Sequence, residues 1–386
     1  MIEDRTMHRK TCCLLLLLGS SALLHAEPEK IDLFEAGQGG YSLYRIPGIV
    51  TTAKGTVLAY CEARKNGASD WGEIDLMVRR STDGGKTWEA AKLLPQPEGP
   101  FPRNPIAVKR KIGKDGEVTF NNAVMIAEKS GSVHLLFCVQ YGRCFHCRSD
   151  DDGRTFGKPA EITDSIAPLK KYYPWQVVAT GPGHGIELKN GRLLVPIWVS
   201  TGETGAHRPS LVSTLFSDDS GKTWNVGEIV AKNPDLANPS ETVAVELSDG
   251  SVMLNIRNEA KERRRSVTIG KDGAKGWSKP QFDDALIDPV CMGSIIRLGP
   301  PEKKQILFAN PNDAKARKNL TLRLSNDDGK TWSESETIEP GVSAYSDLAL
   351  AADGTILCFY ERQRSDDKGS RKGVLTVARL RLDAQK

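Results

Sequence analysis

"STDGGKTW" at residues 81–88 returns as "SDDDGRTF" at 149–156, "SDDSGKTW" at 217–224 and "SNDDGKTW" at 325–332. All four fit S-x-D-x-G-x-T-[WF], and a decayed copy, "GKDGAKGW" at 270–277, keeps Asp272 and Trp277. The copies start at 81, 149, 217, 270 and 325, so they lie 68, 68, 53 and 55 residues apart. Recurrence at that spacing means one structural unit used repeatedly. Each octapeptide reads as a turn: its Asp can accept backbone N–H groups, its Gly allows positive φ, and its aromatic ring packs back onto the sheet. The carboxylates are too few for an EF-hand calcium loop.

A second series runs in step. "TTAKGTVLAY", "AEKSGSVHLLF", "ELKNGRLLVPIW", "ELSDGSVMLNIR" and "AADGTILCFY" each set a glycine turn (Gly55, Gly131, Gly191, Gly250, Gly354) before an apolar strand. "IIRLGPPEKKQILFANP" supplies a sixth member between Gly250 and Gly354. These are hairpin signals. Six hairpins, each but the last followed by an octapeptide, predict an all-β chain: a six-bladed β-propeller with four-stranded antiparallel blades.

Composition agrees. With 39% hydrophobic and 26% charged residues the chain reads as globular, and a net charge of +4 over 386 residues gives no reason to expect nucleic acid. "MHRK" followed by "TCCLLLLLGSSALLHA" reads as a signal peptide over residues 1–26, cut near Ala26. Its apolar core, about 14 residues, falls short of the roughly 20 that span a bilayer. The expectation is a propeller domain over 27–386, secreted or periplasmic, with no stable membrane anchor. The remaining cysteines lie mostly in strand-like runs; "CFHC" leaves a bridge between Cys144 and Cys147, or a zinc ligand pair, open.

"YSLYRIPGIV" at 41–50 places Arg45 inside an apolar run. A guanidinium cannot lose its charge by deprotonation, so there it needs an anion. Arg257 in "VMLNIRNE" and Arg317 in "ANPNDAKARKNLTLRL" stand at comparable stages of other blades. A ring of blades brings such positions to one face. Three guanidiniums together suit a ligand with one obligatory carboxylate.

With the four boxes, "YRIP" and "LYRIPG…ARKNGASDWGEIDL" in view, the chain resembles the bacterial exo-α-sialidases (neuraminidases), Asp-box or BNR-repeat propellers, from about residue 31 to 384. The resemblance implies that Arg45, Arg257 and Arg317 bind the carboxylate of sialic acid. It implies that Glu361, in "LCFYER", holds Arg45 in place. It points to Tyr345 in "GVSAYSDLAL" as nucleophile and Glu241 in "NPSETVAVELSDG" as its base. By themselves, Tyr345 reads as core and Glu241 as a solvated strand end. A tyrosine suits this substrate, because a carboxylate nucleophile would approach an anomeric carbon that already bears a carboxylate. Asp70, in the loop "RKNGASDW", is the implied general acid/base, with a pKa expected to be raised by shielding, and Arg64 a further sugar contact.

These implications amount to a retaining exo-α-sialidase acting on sialylated glycans, with no metal or organic cofactor. A trans-sialidase, an intramolecular enzyme releasing anhydro sugar, a hydrolase of deaminated nonulosonic acids and a non-catalytic binder of acidic glycans remain open. Two further stretches read as structural: the Gly-Pro-Gly-His-Gly turn around His184, and "KERRR" at 261–265, a solvated hairpin tip.

Overall fold

The computed structural model describes residues 27–332, 334–365 and 371–382. The expected signal peptide, and the cut near Ala26, lie outside the described residues. Four groups of strands follow the sequence expectation directly. The first blade comprises Leu43–Thr51, Val57–Arg64, Ile74–Ser81 and Lys92–Leu93. The second comprises Phe120–Ala127, Val133–Val139, Arg143–Ser149 and Ala160–Glu161. The third is built on Val177–Thr180, Leu193–Gly205, Arg208–Ser217 and Asn225–Val226. The fourth is Thr242–Glu246, Val252–Ile256, Arg264–Gly270 and Gln281–Ile287.

The last two blades form one seven-stranded sheet because they share a strand. Glu334–Leu350 pairs through its first part with Lys318–Ser325, beside Ile306–Pro311 and Ser294–Arg297. Its second part pairs with Ile356–Ser365, which pairs with Arg371–Leu380. Glu29–Glu35 then adds to Arg371–Leu380, so the first strand of the described chain completes the last blade.

Six apolar clusters show the ring to be closed. Leu58 and Tyr60 meet Met125 and Phe137, and Val124 and Leu136 meet Val195 and Leu211. Leu194 and Val212 meet Ala244 and Leu254, and Val243 and Met253 meet Ile295 and Phe308. Leu307 and Leu322 meet Leu348 and Ile356, and Leu357 and Phe359 return to Ile49 and Ala59. Each seam is thus a sandwich of two inner faces, packed as protein cores are.

The octapeptides join the third and fourth strands of their blades, as the sequence implies. In the first, Thr87 donates to Asp83 from N (2.9 Å) and Oγ1 (2.6 Å), while Ser81 Oγ donates to Asp83 (2.7 Å) and accepts Gly85 N (2.8 Å). The same four bonds recur at 149–156, 217–224 and 325–332. In the decayed copy Gly270 and Gly276 replace the Ser and Thr, and Asp272 accepts the N–H groups of Ala274 (3.0 Å) and Lys275 (3.1 Å). The box glycine also lets neighbouring blades touch: a Cβ on Gly153 would come within 2.5 Å of Leu58 in the preceding blade.

All six cysteines of the described chain are buried free thiols, so no bridge joins Cys144 and Cys147. Cys144 instead faces Cys138 across a hairpin, and that contact together with burial pushes its thiol well up.

The seam between the second and third blades holds a pH-sensitive pair. His134 Nδ1 lies 3.0 Å from His146 Nε2, the rings stack, and His134 Nε2 lies 3.3 Å from Glu128. Burial pushes His146 down to about 3 and His134 below its ordinary value. Between about pH 6.5 and 3 the unfolded chain therefore binds protons that the folded chain refuses, and stability falls as pH falls through that window. The melting temperature should drop more steeply below pH 6.5 in wild type than in His146→Phe; equal slopes would remove the pair as the cause.

Candidate active site

Chain direction decides which end of the ring gathers the polar residues. Innermost strands enter at one face, where Arg45 begins its strand and Glu241 precedes Thr242–Glu246. Second strands leave at the same face, so Arg64 and Arg257 arrive there too. A register shift between Arg45 and Gly48 re-aims the first strand, and Ile46 is held at φ 60°, costly for a β-branched residue. Glu361 stabilises that bend. It accepts Arg45 Nε (3.1 Å), Arg45 Nη2 (3.2 Å) and Ile46 N (3.0 Å). Gly48 is required for a separate reason: a Cβ there would lie 2.2 Å from the ring of Tyr60.

The shared strand Glu334–Leu350 carries Tyr345 into the middle of this face. Its hydroxyl donates to Glu241 Oε1, and Arg257 Nη1 bonds both Glu241 Oε2 and the Tyr345 oxygen, the latter at 2.7 Å. The guanidiniums of Arg45 and Arg317 lie over the phenol ring, 5.1 and 5.3 Å from its centroid. The three arginines, the tyrosine and the glutamate named from sequence therefore meet at one place. Burial pushes the Tyr345 phenol well up; Arg257, Arg317 and Arg45 pull it back only in part. The proton stays on Tyr345 until a base takes it.

Beneath this cluster lies a residue that the sequence reading placed in solvent. Arg265, in "KERRR", is wholly buried. It donates to Asn255 Oδ1 (2.6 Å), the Asn255 carbonyl (2.9 Å) and the Cys291 carbonyl (2.7 Å), and pairs with Asp288 at 3.4 Å. It anchors the strand from which Arg257 emerges. His184 is structural, as expected: its Nδ1 lies 2.7 Å from Asp347, a buried carboxylate that also accepts Ile49 N and Ser294 Oγ.

Asp70 stands at the edge of the same site with its side chain 43% exposed. Arg64 Nη2 lies 2.8 Å from its carboxylate and Arg45 Nη1 3.8 Å. Arg64 is itself fixed by Glu62 (2.7 Å) and by the Ala68 carbonyl (2.6 Å). The expectation of a raised Asp70 pKa is overturned here. Burial does push it up, but Arg64, Arg45 and His207 outweigh that and hold the carboxyl below its ordinary value.

Residues 104–358 match the family described as BNR repeat-like domain. The chain belongs to that family. This BNR-repeat protein is 30% identical to a sialidase of Bacteroides fragilis over 89% of its length and 65% of the relative's. It is also 30% identical to a sialidase of Micromonospora viridifaciens, over 86% of this chain and 51% of that one. The BNR-repeat chain thus spans between half and two thirds of those curated relatives. Among solved structures, Hadza microbial sialidase Hz136 matches with a TM-score of 0.74 and 26% identity, covering 90% of this chain and 68% of that chain. The intramolecular trans-sialidase from Ruminococcus gnavus shares the fold (TM-score 0.70, 19% identity, 92% and 98% covered). The propeller is that of the sialidases. Among the described residues of the BNR-repeat protein no helix is long and apolar enough to cross a membrane.

Near Asp70 stands a cluster of four rings to which the sequence reading gave no role. Trp71, Tyr141 and Trp198 are buried around His207, and they come from the first, second and third blades. Glu62 is also absent from any motif, yet its carboxylate holds Arg64 and accepts Asn122 N at 3.0 Å.

Proposed function

We propose that the chain is an exo-α-sialidase, a retaining glycoside hydrolase that removes terminal sialic acids from glycoproteins, glycolipids and oligosaccharides, and that residues 1–26 direct its export. The observation that carries this reading is the phenol of Tyr345, bonded to a carboxylate and surrounded by three guanidiniums. The arginines receive the substrate carboxylate, whose arrival relieves their mutual repulsion. Its anomeric carbon then lies above the Tyr345 oxygen.

In the first step the phenol oxygen attacks that carbon as its proton passes to Glu241, and Asp70 gives a proton to the departing glycosidic oxygen. In the second, Asp70 takes a proton from water, the water oxygen displaces the phenolate, and Glu241 returns its proton. Two displacements leave the configuration retained. The arginine cluster and carboxylates meet the charge that develops in a fixed, partly dry site. Asp70 must be protonated to begin. A substrate carboxylate that engages Arg45, and an aglycone that covers Asp70, both weaken the pull that now holds it low.

An aryl α-sialoside tests the reading: wild type is expected to release the aryl group and give the α-anomer of the free sugar first. No turnover would leave a glycan-binding propeller. Asp70→Ala should lose about 10²-fold or more on natural sialosides and much less on activated aryl ones. Equal losses on both would remove Asp70 as the acid.

A further inference from the structure

At the end of the ring opposite the arginines, the innermost strands leave around a second cavity. Ile186–Glu187, Thr242–Glu246 and Ser294–Arg297 run to its wall, and Lys129, just past Phe120–Ala127, lies on it too. Its volume is about 750 Å³, within the range of about 300–1,000 Å³ that holds small molecules. Ile186, Ala244, Ile296 and Pro301 give it apolar walls.

One nearly buried polar group opens on this cavity: His184, whose side chain is 10% exposed. The structural pairing with Asp347 uses only Nδ1, at 2.7 Å. Nε2 has no hydrogen-bond partner among the described residues, and it is not enclosed. A carboxylate only accepts, so the proton between His184 and Asp347 sits on Nδ1, and Nε2 donates whenever the ring is cationic. Burial pulls the imidazole down, but Asp347 outweighs that and holds it above its ordinary value. The other charges around the cavity balance. Glu187 accepts Lys129 N (2.6 Å) and Glu246 accepts Lys189 N (2.9 Å), while Arg297 is taken up by Asp328 (2.8 Å) and the Glu246 carbonyl (2.7 Å). The Lys129, Lys189 and Glu302 side chains stand exposed at the mouth. His184 therefore decides what the cavity takes.

We propose that this cavity binds a small organic carboxylate with an apolar body, one oxygen accepting His184 Nε2–H while the carbons cover the walls. An inorganic anion would give up its water for a single donor and leave the walls wet. An apolar body offsets that loss by burial, and the mouth leaves the second carboxylate oxygen in water. The cavity shares no residue with the arginine cluster, so the site stands whether or not the chain hydrolyses sialosides.

The probe is naphthoate, titrated at about pH 6 into protein saturated with a dehydrated sialic acid analogue, which keeps the probe from the three arginines. Naphthoate should bind, shift the ring-nitrogen resonances of His184, and bind about tenfold or more tighter than the neutral naphthalenemethanol. His184→Asn keeps an N–H for Asp347 and removes the one facing the cavity. It should weaken naphthoate by about tenfold or more, the scale of one charge-assisted hydrogen bond, and leave naphthalenemethanol nearly unchanged. Raising the pH until His184 loses its proton should weaken naphthoate in wild type and not in His184→Asn. Ile186→Trp keeps His184 and fills the cavity; it should weaken both probes, with turnover of an aryl sialoside as in wild type. If His184→Asn does not fold, Ile186→Trp and the resonance shift still decide. Loss of naphthoate binding once the analogue is present, an unmoved His184 resonance, or unchanged affinity in the folded variants overturns the site, and none of these touches the sialidase reading.

Discussion

Tyr345→Phe is expected to lower kcat toward an aryl α-sialoside by about 10³-fold or more, while a dehydrated sialic acid analogue still binds. Removing one member of a group that acts as a unit costs on that scale. The substitution takes away a single oxygen, but that oxygen receives Arg257 and donates to Glu241. The phenyl ring stays beneath Arg45 and Arg317, so the proposed carboxylate site is kept. Rapid quenching of wild-type turnover should trap a sugar on a peptide containing Tyr345, and the variant should trap none. A variant with near wild-type kcat would remove Tyr345 as nucleophile and return it to the core.

Arg257→Ala should be as damaging, for a different reason. Arg257 touches Glu241 and Tyr345, the base and the nucleophile of the proposed mechanism, and under that mechanism the substrate carboxylate as well. Truncating it leaves the Glu241 carboxylate without its cation in a buried place, and such losses amount to about 2–5 kcal/mol. We expect kcat/KM to fall about 10³-fold, with kcat lowered and KM raised. Arg317→Ala should act mostly on KM, since Arg317 bonds the Val290 carbonyl and neither Glu241 nor the Tyr345 oxygen. An Arg257→Ala enzyme with unchanged kcat would mean that the arginine serves binding alone.

Much of this site was legible because its signals are local. An octapeptide that folds on its own Ser, Asp and Thr announces a turn wherever it stands, and four copies with a decayed fifth announce a ring. A charged residue inside an apolar strand, as in "YSLYRIPGIV", asks for an anion on chemical grounds alone. What could not be read depends on contacts across blades. Arg265 looked like a solvated tip because its neighbours are charged, yet it is turned inward under Asn255 and Cys291. The ring cluster around His207 gathers residues 71, 141, 198 and 207, and no spacing links them. Glu334–Leu350 runs on through Pro340 and Gly341, residues that punctuate most sequences, because each half finds a different partner strand. For Asp70, burial was foreseen but the two guanidiniums beside it were not.

The pairing of Glu29–Glu35 with Arg371–Leu380 has a bearing on when the molecule can work. During synthesis the array of blades must wait, open on one side, until Arg371–Leu380 has emerged. Arg45 is made early, whereas Tyr345 and Glu361 come late, on the very blade that the early strand completes. Competence is therefore withheld from every product that lacks the late strand, and a nick or deletion in either of these two strands should silence the protein at a distance from its chemistry.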